Sequence, residues 1–419
     1  MTLHNLALLS AFGLASAFPW VASVPGVDSS LFHRDVFEKR QSYPYGSCPN
    51  NPQHTGAAPY SKQYPYTGAV NGLPGSQKGG IQVPAPGDTA HYYTAPGPND
   101  IRGPCPGLNS AANHNFLSHD GITTFAELVD AQQNVYNVGY DLAVLLATLG
   151  VGLDGDPITG KLSLGCDATS RTSSTGGLLG AEPGLNGHNK FEGDTSLTRN
   201  DFFPSNGDNY MFNGTLFEAM RQTSNNVFDR TAMSKYRYQR YQQSIKENAN
   251  FYFGPKSLLL YGAASFLYEL FPSYGPAGTA DLATISSFFG AVSTGQGTWA
   301  HQGDRIPPNW FSRVAPYTIP DVGNEIIAQY LAFPVLFGGN LGSTNNFDGL
   351  NTTFGIIKDG KLPSSTTAAD ITCLLYQLAT ENVPSSLSTV LELPLEVLEF
   401  TISKLNPIFK NYGCPLRTI

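Results

Sequence analysis

The chain has 419 residues, enough for one large domain or two ordinary ones with a substantial buried core. Asp, Glu, Lys and Arg make up only 13% of it, about half the roughly 25% usual in soluble domains, while 44 Gly and 30 Pro promise many turns. A formal net charge of −8 argues against a polyanionic partner, because nucleic-acid binders carry basic patches, so neither DNA nor RNA is an expected ligand.

In chain order, the apolar run Leu6 to Leu14 closes on Ala15-Ser16-Ala17, the small-x-small pattern of a signal-peptide cleavage site, so 1–17 reads as a leader. It is too short for a bilayer core that needs about 20 residues. Glu38-Lys39-Arg40-Gln41 reads as a dibasic processing site, which makes 18–40 a propeptide; an ordinary exposed charge cluster is the plainer alternative. Residues 41–100 are rich in Pro, Gly and Tyr and carry no helical period, so they are expected to wrap irregularly over a core.

Thr124 and Glu127 form a capping-box pattern, and Phe125, Leu128, Val135, Val138, Leu142 and Leu145 keep one apolar face, which predicts a helix to about 149. The apolar stretch Leu142 to Leu153 is interrupted by Thr148, Gly150 and Gly152 and is also too short to span a membrane. Further helical patterns cover 212–248, 256–270, 279–291, 323–332 and 368–404, with few strand-like runs between them. The expectation is a mainly α fold: one compact domain with its core in 101–300 and its C-terminal part in 301–419, wrapped by irregular segments at both ends. Sequons at Asn213 and Asn351 agree with the leader, and the chain is read as a secreted, extracellular protein with no membrane span.

Five cysteines are present: Cys48, Cys105, Cys166, Cys373 and Cys414. In an oxidising compartment an odd number leaves one thiol over, and that thiol needs a reason. Cys373 and Cys414 bracket the C-terminal segment as one pair, and Cys48 with Cys166 is a second, which would leave Cys105. It lies in Ile101-Arg102-Gly103-Pro104-Cys105-Pro106-Gly107-Leu108-Asn109, where Pro106 suits the first turn of a helix. A cysteine at a helix N-terminus has its thiolate stabilised by unsatisfied backbone N–H groups, and a thiolate is what haem iron takes as an axial ligand. A buried or disulfide-linked cysteine between two turn-forming prolines is equally compatible with these residues alone.

The run Asp100 to Asn109, the following Ala112-Asn113-His114, and Gly121 resemble the proximal segment of the fungal haem-thiolate peroxidases, the family of chloroperoxidase and the unspecific peroxygenases. The resemblance continues through Phe191-Glu192-Gly193-Asp194-Thr195-Ser196-Leu197-Thr198-Arg199, Phe212 to Phe217, Tyr238-Gln239-Arg240 and Asn250-Phe251, covering about 80–255 well and the rest loosely. It implies a haem-binding helical domain carrying haem b, with Cys105 as the axial ligand. It also implies a Mg²⁺ beside a haem propionate, held by Glu192, the Gly193 carbonyl, Asp194 and Ser196. Hard oxygen donors within five residues suit that ion, although an isolated Glu-Gly-Asp is more often a polar turn that caps a helix.

On the side where peroxide would bind, the resemblance weakens. The family places an Arg seven residues before a Glu that moves the peroxide proton; continuing without gaps from Asn250-Phe251, those positions fall on Lys256 and Ala263. Glu269, in Tyr268-Glu269-Leu270-Phe271-Pro272, is the alternative acid/base, set in an apolar run that would raise its pKa; a solvated outer-face residue is the competing reading. His91, His114, His119, His188 and His301 read as structural, and no zinc spacing appears. The resemblance therefore implies an enzyme that uses hydrogen peroxide to oxidise or oxygenate small apolar or aromatic molecules, halide oxidation included. A secreted haem-binding protein with lost peroxide turnover is the alternative.

Overall fold

The computed structural model describes residues 42–43, 46–48, 54–166, 184–191, 193–385, 387 and 390–419. The leader read at 1–17 and the propeptide read at 18–40 lie outside these. The described chain is mainly α, 40% helical, with ten α-helices and only short strands.

Helix α1 (Pro106–Asn113) starts with proline at its first position, where a missing N–H costs nothing. Helix α2 (Phe125–Tyr136) begins at the expected capping box: the Glu127 N–H donates to the Thr124 hydroxyl, and the Glu127 carboxylate accepts from the Thr124 N–H. The single helix predicted to about 149 is instead two, because α2 stops at Asn137 and α3 (Tyr140–Asp154) follows after a break at Asn137-Val138-Gly139. The break is set by distant chain. Asn137, with φ 55°, donates its side-chain amide to the carbonyls of Arg313 and Val314 at 3.0 Å, and the Gly139 N–H donates to the Tyr317 carbonyl at 2.8 Å.

The stretch predicted at 212–248 is likewise two helices, α4 (Gly214–Ser224) and α5 (Arg230–Glu247), capped by the side chains of Asn213 and Asp229. A 3₁₀ turn (Pro255–Leu258) leads into α6 (Leu259–Glu269). The pattern at 279–291 gives α7 (Leu282–Phe288), after which the chain turns into an antiparallel hairpin, Ala291–Gly295 with Thr298–His301. Helix α8 (Ile319–Ala332) starts four residues earlier than predicted, at a capping box of Thr318 and Asp321. The predicted 368–404 divides into α9 (Ala368–Thr380) and α10 (Leu395–Phe409).

Helix α3 is packed between α2 and α10, and α8 lies between α6 and α9 with α5 alongside. A largely continuous apolar core runs through them. From residue 54 to the start of α1 the only helical element is a 3₁₀ turn at Thr89–His91, as the composition led one to expect. Disulfides join Cys48 to Cys166 and Cys373 to Cys414, both as expected. Among the described residues no helix is long and apolar enough to cross a membrane.

Candidate active site

Cys105 is the one cysteine of the five outside both disulfides, and it occupies the N-cap position of α1. The loop that presents it is held from every side. Asn109, one turn into α1, accepts from the Gly103 N–H at 3.1 Å and donates its amide to the Gly103 carbonyl at 2.9 Å and to Asp304 at 2.7 Å. The Arg102 guanidinium donates to Asn113 and to the carbonyls of Ile101 and His119, each at 2.8 Å. Burial brings that guanidinium down to about 10. Gly103 and Gly121 are obligatory here. A Cβ at Gly103 would lie 1.8 Å from the Leu164 carbonyl oxygen, and one at Gly121, where φ is +84°, would lie 2.1 Å from that of Ile101. The buried Tyr136 of α2 donates its hydroxyl to the Gly107 carbonyl at 2.7 Å, and the charge of Cys105 adds to the burial that raises its pKa.

The turn 193–196 is wired to α5. Arg237 donates to the Thr195 carbonyl and hydroxyl, Arg240 to the Ser196 carbonyl at 2.9 Å, and Tyr236 to the Leu197 carbonyl at 3.0 Å. Asp194 is buried; it accepts from the Phe202 N–H at 2.9 Å and from Asn248 at 3.0 Å, and its carboxyl is pushed well above the usual range, first by burial and then by the neighbouring Asp201. Glu192, the remaining predicted member of the set, lies outside the described residues. Among the described residues no group of three or more His, Cys, Asp or Glu side chains is placed to hold a metal ion.

An apolar cavity lies between α3, α6 and α8. Leu142, Leu145 and Leu146 line it from α3, Leu259, Leu260, Gly262, Ala263 and Phe266 from α6, and Val322 and Ile326 from α8, with Phe191 and Leu375 completing the wall. Ala263, one of the two positions where the family pattern puts its proton-moving pair, is therefore on the cavity wall, but as a methyl group. Cys105 and Glu269 are not among the lining residues. Glu269 ends α6 and forms an ion pair with Arg313; burial raises its pKa and Arg313 opposes the rise. Arg313, 44 residues away, was missed by sequence reasoning, since no local pattern links it to α6. Lys256, in the 3₁₀ turn before α6, has a buried ammonium that burial lowers to about 8.

The histidines read as structural have structural neighbours. His91 pairs with Asp88 at 2.8 Å, and His188 stacks on Phe202 with ring centroids 4.5 Å apart.

The profile of peroxidase family 2 matches residues 91–315, which spans the Cys105 loop, the 193–196 turn, α6 and Arg313. The chain is 34% identical over 281 residues to the dothistromin biosynthesis peroxidase of Dothistroma septosporum, covering 64% of this chain and 67% of that one. It is 30% identical over 335 residues to the aromatic peroxidase of Fusarium equiseti, covering 75% and 76%. With the aromatic peroxygenase of Cyclocybe aegerita it shares 33% over 273 residues, 62% of this chain and 67% of the relative. A peroxide-dependent oxidoreductase, the chain belongs to peroxidase family 2, the fungal haem-thiolate family that includes chloroperoxidase and the aromatic peroxygenases.

Proposed function

We propose that this is a secreted haem-thiolate peroxygenase and peroxidase in which Cys105 holds the iron of haem b and small apolar or aromatic molecules occupy the cavity between α3, α6 and α8. The observation that carries the reading is the position of Cys105, outside both disulfides and at the N-terminus of α1. There the first-turn N–H groups and the positive end of the helix dipole favour the thiolate, the donor that haem iron accepts. When bound, the haem supplies the redox centre at which peroxide and substrate exchange electrons.

The protein's own residues set the conditions. Asn109, Arg102 and the two glycines fix the thiolate's position, and the apolar wall excludes water from the substrate. In the overall reaction one peroxide oxygen is inserted into a substrate C–H bond and the other leaves as water. Glu269 is assigned the proton transfer between the two peroxide oxygens; its burial favours the protonated carboxyl, and Arg313 holds the deprotonated one. Mg²⁺ is assigned to Glu192, the Gly193 carbonyl, Asp194 and Ser196. In support, the buried Asp194 beside Asp201 is a carboxylate pair that a cation would relieve. The names of the aromatic peroxidase and peroxygenase relatives support an aromatic substrate. Secretion is supported by the leader pattern and the two disulfides. Of the two sequons, Asn351 is exposed and suits glycosylation, whereas the Asn213 amide is engaged in capping α4 and in a 2.6 Å bond to Asn200.

The test is the carbon monoxide difference spectrum of the reduced protein. The strongly red-shifted Soret band of thiolate-ligated haem is expected in the wild type and absent in Cys105→Ser. A wild-type band typical of histidine ligation, or one unchanged in the variant, would overturn the assignment.

A further inference from the structure

A line of aromatic rings leads from the Cys105 helix to the surface. Tyr136, buried at the end of α2, is tied to the first turn of α1 by its bond to the Gly107 carbonyl. Its ring meets that of Trp310 edge to face, with centroids 6.0 Å apart. Trp310 is 1% exposed and donates its indole N–H to the Phe271 carbonyl at 2.7 Å. Phe311 follows it directly and stacks on Tyr274 with ring centroids 4.6 Å apart, while the Tyr274 N–H donates to the Phe311 carbonyl at 2.8 Å. Tyr274 is 42% exposed. The three oxidisable rings differ in what they can do with the charge left behind when an electron leaves. A phenol sheds its proton as it is oxidised, and the Tyr136 hydroxyl faces a backbone carbonyl, which is no base. An indole can lose an electron alone, and the Phe271 carbonyl steadies the resulting charge through the indole N–H. That charge is still costly in a buried site, whereas the exposed Tyr274 can release its proton to water and remain as a neutral phenoxyl radical. The gradient runs outward.

We propose that Trp310 and Tyr274 form an electron relay, with the Tyr136 ring as its bridge to the Cys105 site, through which the protein oxidises at its surface phenols too large for the cavity. This rests on Cys105 holding the haem. Trp310 gives one electron to the haem site and takes one from Tyr274, whose proton passes to water. A phenol touching Tyr274 then restores it with one electron and one proton. Two such rounds, with two protons from water, cleave the O–O bond of one hydrogen peroxide to two waters and leave two phenoxyl radicals.

The experiment mixes purified holoprotein with hydrogen peroxide and a nitroso spin trap, without substrate, and locates the adducts by peptide mass spectrometry. The adduct is expected on Tyr274 and lost in Tyr274→Phe, an exposed substitution expected to leave the melting temperature and the carbon monoxide spectrum unchanged. Freeze-quenched paramagnetic resonance of that variant should show an indole radical in place of the phenoxyl one, which tests Trp310 without altering the core. Dextran-linked tyramine, whose polymer cannot enter the cavity, should be oxidised by the wild type and not by Tyr274→Phe, while ethylbenzene, small enough to enter, is oxidised equally by both. A set of adducts that omits Tyr274, or dextran-linked tyramine oxidised equally by the variant, would overturn the relay. Where the thiolate band is present and ethylbenzene is oxidised, such a result counts against the relay alone. Where the band itself is absent, the haem assignment falls and the relay falls with it.

Discussion

His114 shows how a single buried ring carries a pH dependence. Its Nδ1 donates to the His91 carbonyl at 3.0 Å and its Nε2 accepts from the Ile306 N–H at 3.3 Å, so the bonds require a neutral ring with one donor and one acceptor. Burial lowers its pKa from 6.5 to about 4. Between those values the unfolded chain takes up a proton that the folded chain refuses. The contribution to stability is therefore full above 6.5 and is lost as pH falls towards 4. From pH 7 to pH 5 the wild type is expected to lose about 2 kcal/mol at this site. Urea midpoints at the two pH values measure it, and a His114→Gln variant, less stable at pH 7, should lack that slope.

Glu269 has a kinetic test at the same scale. Glu269→Gln is expected to lower peroxide turnover by about 10²–10⁴ while leaving the carbon monoxide spectrum of the haem unchanged. Turnover equal to wild type would remove Glu269 from the proton transfer. The two residues differ in how visible they are in the sequence. Cys105 stands out through the parity of the cysteines and the prolines around it. The Glu269–Arg313 pair spans 44 residues and two elements, and no periodicity records that kind of contact.

At the scale of elements, local rules are legible and tertiary interruptions are not. The capping box at Thr124 and Glu127 forms as read, because both partners lie within one turn and exchange their two bonds there, with the Ala57 N–H adding a third to the carboxylate. The break between α2 and α3 leaves the apolar spacing almost undisturbed: Val135, Val138, Leu142 and Leu145 all reach the core across it. What ends α2 is the set of carbonyls at Arg313, Val314 and Tyr317, which receive donors from Asn137 and Gly139 and become neighbours only after folding. The join at 225–229 is hidden in the same way, where the Phe228 N–H donates to the distant Ala280 carbonyl, whereas the join between α9 and α10 carries the local breakers Pro384 and Pro394.

At the scale of the molecule, the C-terminal helices depend on a covalent tie. The Cys373–Cys414 bridge closes 41 residues of chain that contain α10, and α10 packs on α3, which forms one wall of the cavity. By chain entropy a loop of that length is stabilised by about 4 kcal/mol. A Cys373→Ser/Cys414→Ser double variant should therefore show a urea midpoint lower by about that free energy; a shift near zero would mean that α10 is held by packing alone.

The glycine contacts behind Cys105 divide the molecule into a part that cannot drift and a part that can. A single methyl at Gly103 would meet a backbone carbonyl at 1.8 Å, and no side-chain rearrangement relieves a collision between two main chains. The cavity wall is built of Leu, Val, Ile, Ala and Phe side chains, for which volume-conserving exchanges usually cost less than about 1.5 kcal/mol. Descendants of this sequence, natural or engineered, can therefore remodel the shape of the cavity by changing Leu142, Leu146, Leu260 or Phe266, while Cys105 stays where the main chain has pinned it. The shape of the cavity is the evolvable variable, and the position of Cys105 is the inherited constant.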